Sequence, residues 1–417
     1  YERALIEHGQ ATPADFDADA RAGVRRLVAE RCLVGVDRNP VAVQVARLSM
    51  WLATLARGRP LGFLDHRLRV GDSLVGASPD DLRRLAISTA RGRDTLPLFD
   101  DILLDRAMRD VAPPLAALHD RREDTVDDVR AKEAIWADLT STSSPIEPWR
   151  RAADLWCARW FWPAGDAPPS PAELRALMDA VLRRDRTLAQ AHVHDRLATA
   201  RAIASAHRFF HWPIEMSDVF YDDDGLPRAR PGFDAVLANP PWEMLRGDTS
   251  DDSGARHSAP DDAASIDYRR RTIRFIRESG IYTSCDRGHL NLYQPFLERA
   301  LSLAREGGRV GLIVPWSLAT DDGAASLRRR LFERSTLHTL VGLDNANGLF
   351  PIHRGLRFMA MVASPGGPTG EMRARFGVKT AADIEALPDR EDGLAPTAYP
   401  VRLARHQIEA VSGPALR

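Results

Sequence analysis

The sequence predicts an α/β fold, a largely parallel sheet flanked by helices and interrupted by a large helical insertion. Three observations predict it. Short apolar runs at residues 32–36, 68–70, 232–238 and 309–314, bounded by Gly, Pro or Asp, read as buried strands, and helical periodicity fills the intervals. Two of these runs stop on an aspartate and a third on Asn-Pro-Pro, the kind of polar tip that parallel strands offer to ligands at their carboxyl ends. Between residues 80 and 230 the alternation gives way to Arg-, Asp- and Ala-rich helices, and the span holds six of the nine tryptophans.

With 417 residues the chain can build two or three domains' worth of core, and 44% hydrophobic with 28% charged residues is ordinary for a globular protein. A formal net charge of −1 excludes a global basic field, so any contact with nucleic acid must come from local patches. Cys32, Cys157 and Cys285 form neither a disulfide pattern nor metal-ligand spacing, which fits a reducing cytoplasm. No apolar run reaches membrane-spanning length and no signal peptide is present, so no membrane partner is expected.

Taken in order, residues 1–9 and 19–31 read as helices. The strand at 32–36 ends at Asp37-Arg38-Asn39-Pro40, where a carboxylate at a strand tip can accept from both hydroxyls of a ribose; helix capping is its plainer role. Asn39-Pro40 opens a helix over 41–56 whose apolar face carries Val45, Leu48, Leu52 and Leu55. The strand at 68–70 stops at Gly71-Asp72-Ser73-Leu74, a second carboxylate past a strand, beside a glycine that lets a ligand approach the backbone. Asp72 is placed to accept from an adenine amino group, although Gly-Asp-Ser is also common turn chemistry.

In the insertion, prolines at 113–114, 145–148 and 163–171 are expected to break the helices, and Trp136, Trp149, Trp156, Trp160 and Trp162 to form the core. His207 and His211 lie four apart on a predicted helix with no third ligand at metal-site spacing, so no metal is expected. His192 and His194, two apart, do not share a helix face. An acidic stretch to about residue 266 reads as a mobile loop, and Arg270, Arg274 and Arg277 then share a helical face, solvated by default and able to meet phosphates. A helix ending at Gly307-Gly308 and strands at 309–314, 337–343 and 356–362 follow, and Gly366-Gly367-Pro368 opens a polar tail with no clear core.

The chemistry concentrates at Asn239-Pro240-Pro241-Trp242. The prolines fix their own φ and bias the residues before them, which makes a stiff hook at a strand end. Asn239 offers a carboxamide oxygen, Pro240 a carbonyl that no local helix engages, and Trp242 a flat face. That set suits a planar group with an exocyclic amine, the description of adenine. A turn with Trp242 in the core is the alternative.

Together these segments resemble the gamma class of DNA N6-adenine methyltransferases, most nearly the large enzymes of type IIG restriction–modification and of BREX- or DISARM-like phage defence. The resemblance covers residues 30–76 and 230–363. Residues 35–40 look like the motif whose acid holds the cofactor ribose, and Gly71-Asp72-Ser73-Leu74 like the one that meets the cofactor adenine. Asn239-Pro240-Pro241-Trp242 matches the catalytic motif, with Trp in place of the more usual Tyr or Phe. Asn291-Leu292-Tyr293 with residues 296–301, then residues 308–317, look like the next two, and Phe350-Pro351-Ile352-His353-Arg354-Gly355 is similar to the motif whose Phe packs against the extruded base.

The resemblance implies a Rossmann-like, S-adenosylmethionine-dependent methyltransferase sheet acting on double-stranded DNA, with other subunits of a defence system as further partners. It implies Asn239, Pro240, Pro241 and Trp242 as catalytic, Asp37, Asn39, Asp72, Ser73 and Asn239 as cofactor-binding, and Trp242 and Phe350 as stacking on the target base. It divides the chain into residues 1–79 (the first part of the methyltransferase domain), 80–230 (the helical insertion), 231–363 (the catalytic half) and 364–417 (a linker toward a target-recognition domain). The family's glycine-rich cofactor loop does not precede Asp37 and the chain opens on Tyr1, so an internal piece of a longer enzyme is expected. Two other functions fit the same residues: a non-catalytic DNA- or partner-binding subunit, and a methyltransferase of RNA or of protein glutamine.

Overall fold

The computed structural model describes residues 6–9, 12, 17–88, 101–183, 191–245, 263–285, 288–387 and 401–413. The chain divides into two units, Tyr1–Arg228 and Ala229–Arg417. Both combine helices with strands, the α/β class the sequence predicts.

The first unit opens with α1 (Ala18–Arg31), N-capped by the Asp17 carboxylate, then β1 (Gly35–Asp37), α2 (Pro40–Ala53) and β2 (Leu68–Val70). β1 and β2 pair in parallel, Gly35 opposite Leu68 and Asp37 opposite Val70. Asn39 caps α2 through Oδ1, which accepts from Val41 N at 2.9 Å, and Pro40 takes the first helical position, where its missing N–H costs nothing. Within this unit the expected apolar face of α2 is bare. Val45, Leu48, Leu52 and Leu55 are all exposed, and Val43 is the helix residue that is buried.

A helical array follows: α3 (Pro79–Ser88), α4 (Asp101–Asp120), α5 (Val126–Leu139), α6 (Glu147–Ala158), α7 (Pro171–Arg183), α8 (Ala191–His207) and the short α9 (Trp212–Glu215) and α10 (Ser217–Phe220). Trp149, Trp156, Trp160 and Trp162 are buried in it as expected, with Trp156 and Trp160 edge to face at 4.7 Å and Arg159 stacked over Trp160 at 3.7 Å. Two expectations fail here. Pro113 and Pro114 do not break a helix but lie inside α4. His207 and His211 do not share a helical face either, because α8 ends at His207 and Arg208 turns the chain with a φ of 57°. Buried His211 instead accepts from Ala77 N through Nδ1 and meets Asp154 through Nε2, each at 3.0 Å.

The second unit is organised by a six-stranded mixed sheet of order β10-β9-β7-β8-β6-β3. Its strands are β3 (Phe233–Ala238), β6 (Ala304–Pro315), β7 (Ser335–Asp344), β8 (Arg357–Pro365), β9 (Glu371–Val378) and β10 (Val401–Ala404). β3 and β6 run parallel, β8 is antiparallel to both β6 and β7, and β9 is parallel to β7. A separate ribbon joins β4 (Met244–Leu245) to β5 (Leu290–Asn291). The helices α11 (Ala263–Glu278), α12 (Tyr293–Leu303), α13 (Ser317–Thr320) and α14 (Ala325–Glu333) accompany them. The core is built from Tyr293, Leu297 and Leu301 of α12, Leu327 and Leu331 of α14, and Val310, Leu312, Val314, Met359 and Met361 of the central strands.

Two expectations change in this unit. Among the described residues β3 is a terminal strand rather than a buried one, with Leu237 83% exposed and β6 as its sheet neighbour. The segment after Gly366 is not coreless. Met372 and Ala374 point inward between outward-facing Arg373 and Arg375, a period-two pattern whose arginines mask it in an average over composition. The acidic stretch through residue 262 lies outside the described residues.

Candidate active site

The hook at residues 239–242 is clamped at both ends. At its start, β3 is held in register by β6, Ala238 opposite Leu312. At its far end, the Asn291 Nδ2 donates to the Trp242 carbonyl at 3.2 Å, Leu292 N donates to the Glu243 carbonyl at 2.9 Å, and the β4–β5 ribbon begins one residue later. Between the clamps, neither the Asn239 carboxamide nor the Pro240 carbonyl has a hydrogen-bond partner among the described residues. Asn239 is exposed and Pro240 buried. The Asn239 acceptor is thus exposed on a segment held at both ends, next to the Pro240 carbonyl.

Trp242 is half-buried and tethered. Its Nε1 donates to the Ile313 carbonyl at 3.2 Å, and its ring lies 5.5 Å from Phe358 at 40°. Phe358, 3% exposed, also meets Phe350 edge to face at 5.4 Å. The structure therefore brings Trp242 and Phe350 to the same buried ring, which sequence reasoning missed. Phe350 itself is 38% exposed.

Next to the hook, the first turn of α12 is anchored by buried Tyr293, whose hydroxyl lies 3.4 Å from Ser317 Oγ and whose ionisation is pushed up by burial. The Glu298 carboxylate, 2% exposed, accepts from Thr283 N and Oγ1, Ser284 N and Arg330 Nη1, the last at 2.6 Å. α11 packs beside β4 and turns Arg270, Arg274 and Arg277 outward, the shared face expected of them. Arg274 pairs with Glu278 at 2.9 Å, and Arg277 donates to the Gly288 carbonyl at 2.7 Å.

The first unit carries the two aspartates. Asp37 and Asp72 stand past the same ends of paired strands, and Gly71 N donates to the Asp37 carbonyl at 3.0 Å. The exposed Asp37 carboxylate accepts from Asn39 N at 2.7 Å through Oδ1, so the helix cap is Asn39 and not Asp37. Asp72, 6% exposed, accepts from Leu74 N at 3.0 Å and Val75 N at 3.3 Å through Oδ1, while Oδ2 faces Arg38 at 3.9 Å. Ser73 receives the Trp212 indole N–H on its carbonyl at 3.2 Å. Gly71 is small for a different reason from the one expected. A Cβ there would meet the Phe210 ring at 2.4 Å, so the close neighbour of this backbone is a side chain of the same unit.

The family model described as Eco57I restriction-modification methylase matches residues 31–350, a span that holds both strand-end aspartates and the clamped Asn-Pro-Pro-Trp segment. The chain belongs to that family. No curated protein matches this Eco57I-family methylase. Among solved structures it is similar to a component of a type I restriction–modification system caught in complex assembly and conformational transition, at 17% identity over 66% of this chain and 53% of that one, with a TM-score of 0.24. The type IIG restriction endonuclease BpuSI is similar at 11% identity over 80% of this chain and 42% of that one, with a TM-score of 0.31. The EcoKI M protein, from a type I restriction enzyme, is similar at 14% over 89% and 68%, with a TM-score of 0.23. These likenesses are distant, and the chain spans about half the length of the first two. No helix among the described residues is long and apolar enough to cross a membrane.

Proposed function

We propose that this Eco57I-family methylase transfers a methyl group from S-adenosylmethionine to the N6 amine of adenine in double-stranded DNA, as the modification activity of a restriction–modification system. One observation carries the reading: two acceptors, the Asn239 carboxamide and the Pro240 carbonyl, stand without partners among the described residues on a hook held at both ends. An adenine amine has two hydrogens in the plane of its ring and a lone pair delocalised into it. Accepting both hydrogens localises that lone pair, and the two acceptors bind more strongly as positive charge develops on nitrogen. The clamps at Asn291 and Ile313 fix the hook before substrate arrives, so little reorganisation opposes the reaction.

The N6 atom is buried in duplex DNA, so the base must be extruded to reach the hook. Trp242 and Phe350, braced by the same Phe358, supply aromatic surface for it. S-adenosylmethionine, when bound, supplies an electrophilic methyl on sulfonium sulfur. The residues of the first unit fit its nucleoside. The exposed Asp37 carboxylate retains acceptor capacity beyond its bond from Asn39 for ribose hydroxyls, and Asp72 is a second carboxylate at the same end of the strand pair, of the kind that reads an adenine amino group. Asn39 acts on that site indirectly, by capping α2 and bonding Asp37. The exposed arginines of α11, beside the ribbon that follows the hook, suit the DNA backbone.

The test is methyl incorporation from labelled S-adenosylmethionine into plasmid DNA, RNA and bulk protein by the full product of the gene, with Asn239→Ala alongside. Methylation of DNA at adenine N6, slowed roughly 10²–10³-fold in Asn239→Ala, is expected. Incorporation into RNA or protein alone would give the hook a different substrate, and none at all would favour a non-catalytic subunit.

A further inference from the structure

Asn345 is wholly buried (0% exposed) at the end of β7, and its side chain is the hub of the loop that follows. Its Nδ2 donates toward the carbonyls of Phe350, Ile352 and His353 at 3.1, 3.0 and 3.3 Å, and its Oδ1 accepts from Phe350 N at 2.9 Å. Its backbone closes the same loop at both ends, donating to the Leu356 carbonyl at 3.2 Å and accepting from Gly348 N at 2.8 Å. Gly348, with a φ of 70°, makes the turn that brings the chain back under the carboxamide.

The loop's other hydrogen bonds are local to it: Ile352 N donates to the Phe350 carbonyl at 2.8 Å, Leu356 N to the His353 carbonyl at 3.1 Å and Gly355 N to His353 Nδ1 at 3.1 Å. Residues 350–357 are all exposed, and the apolar side chains of Phe350, Ile352 and Leu356 retain 38, 40 and 41% of their exposure. The edge contact of Phe350 with Phe358 is the aromatic support it has. A buried carboxamide that engages both donor and acceptor with a neighbouring backbone is costly to disturb and fixes a single loop shape. Here the shape it fixes is the position of Phe350.

We infer that Asn345 is a positioning residue for methyl transfer: it holds the loop over residues 348–356 so that Phe350 stands ready beside the extruded base. The inference rests on the proposed base-extruding function. Asn345→Asp keeps the size and one acceptor but replaces the donating amide by a carboxylate facing three carbonyl oxygens, so it removes the tether with little change in volume. Protonating that carboxyl restores one donor, which makes the defect pH-dependent.

The experiment uses the full product of the gene and two probes. Methylated adenines are first mapped in plasmid DNA, and duplexes are then made with adenine or 2-aminopurine at the mapped position. Asn345→Asp, Asn345→Ala and Phe350→Ala are compared with wild type in single-turnover methylation, 2-aminopurine fluorescence on binding, and duplex affinity by anisotropy. The two Asn345 variants are expected to bind duplex as wild type does, while in all three variants methylation falls about 10- to 100-fold and the fluorescence rise shrinks. Asn345→Asp should regain part of its loss at pH 5.5, and Asn345→Ala none. If Phe350→Ala is impaired but both Asn345 variants behave as wild type, the inference is overturned and the function stands. If Phe350→Ala is itself silent, the role of the loop falls with it. If both Asn345 variants lose hydrogen-exchange protection throughout β7 and β8, Asn345 belongs to the core and the inference is again overturned.

Discussion

Replacing Trp242 separates a tethered ring from a free one. In Trp242→Ala three contributions are lost: the indole N–H bond to the Ile313 carbonyl, about 0.5–1.5 kcal/mol; the ring contact with Phe358, about 0.5–1.5 kcal/mol; and packing volume. A fully buried aromatic costs about 3–5 kcal/mol on truncation to Ala, all three included. Trp242 is half-buried, so about 2–3 kcal/mol is expected. Trp242→Phe keeps a ring beside Phe358 and loses the N–H, which leaves about 1 kcal/mol. Native-state hydrogen exchange at Ile313 and at its cross-strand partner Ala360 reads this unit alone. The hook should loosen in proportion, so in the full gene product the Ala variant should lose target-base capture as well. A free stacking platform predicts no loss of protection in either variant. Protection within about 0.5 kcal/mol of wild type in Trp242→Ala, the usual range for a surface substitution, would refute the tether.

Asn239→Ala should lower single-turnover methylation by the full gene product roughly 10²–10³-fold, the effect of losing one transition-state hydrogen-bond partner, with unfolding unchanged because the residue is exposed at a strand end. Glu298→Gln removes a charge facing Arg330 and the backbone at Thr283 and Ser284, and should cost about 1.5–3 kcal/mol by hydrogen exchange of α12 amides. Glu30 of α1 has its carboxyl pushed up from 4.5 to about 7 by burial first and the Glu123 carboxylate second, against the lowering effect of Arg26 and Lys132. A raised folded-state value means that stability present in full below about pH 4.5 is lost as pH rises through about 7. Solvent screening reduces the loss to about 1–2 kcal/mol, and Glu30→Gln should flatten it in urea unfolding between pH 4 and 8. Arg270→Ala and Arg274→Ala should each reduce the salt-dependence slope of duplex binding by about 1, measured by anisotropy across salt concentrations.

Local signals in the sequence carried well where one short segment decides the structure. Asn39-Pro40 starts a helix because a carboxamide cap and a fixed φ need no distant partner. The strand at 68–70 and the sheet strands at 309–314 and 337–343 lie within those observed, since buried apolar runs have few other uses. The hook was legible as a stiff strand end but not as mechanics. Its acceptors could be named from Asn239 and Pro240, whereas its clamps at Asn291, Ile313 and Phe358 come from segments about 50 to 115 residues further along. Asn345 was visible as one polar residue in an Asp-Asn-Ala-Asn-Gly stretch, which reads as turn chemistry. Nothing local marks which of those side chains turns inward. The histidine pair at 207 and 211 misled because helical spacing means a shared face only if the helix continues, and Arg208 ends it.

β3 ends in the hook and is also the outermost strand of its sheet, with backbone groups along one edge that β6 does not pair. Strand and hook are one continuous piece of backbone, so the height at which Asn239 stands is set by the register of β3. A strand that pairs with that edge from elsewhere would thus act as a ruler for the proposed acceptors. Seated in register it stiffens the support of both acceptors. Slipped by one residue, it presents the opposite set of side chains to Leu237 and pulls on the hook it ought to steady.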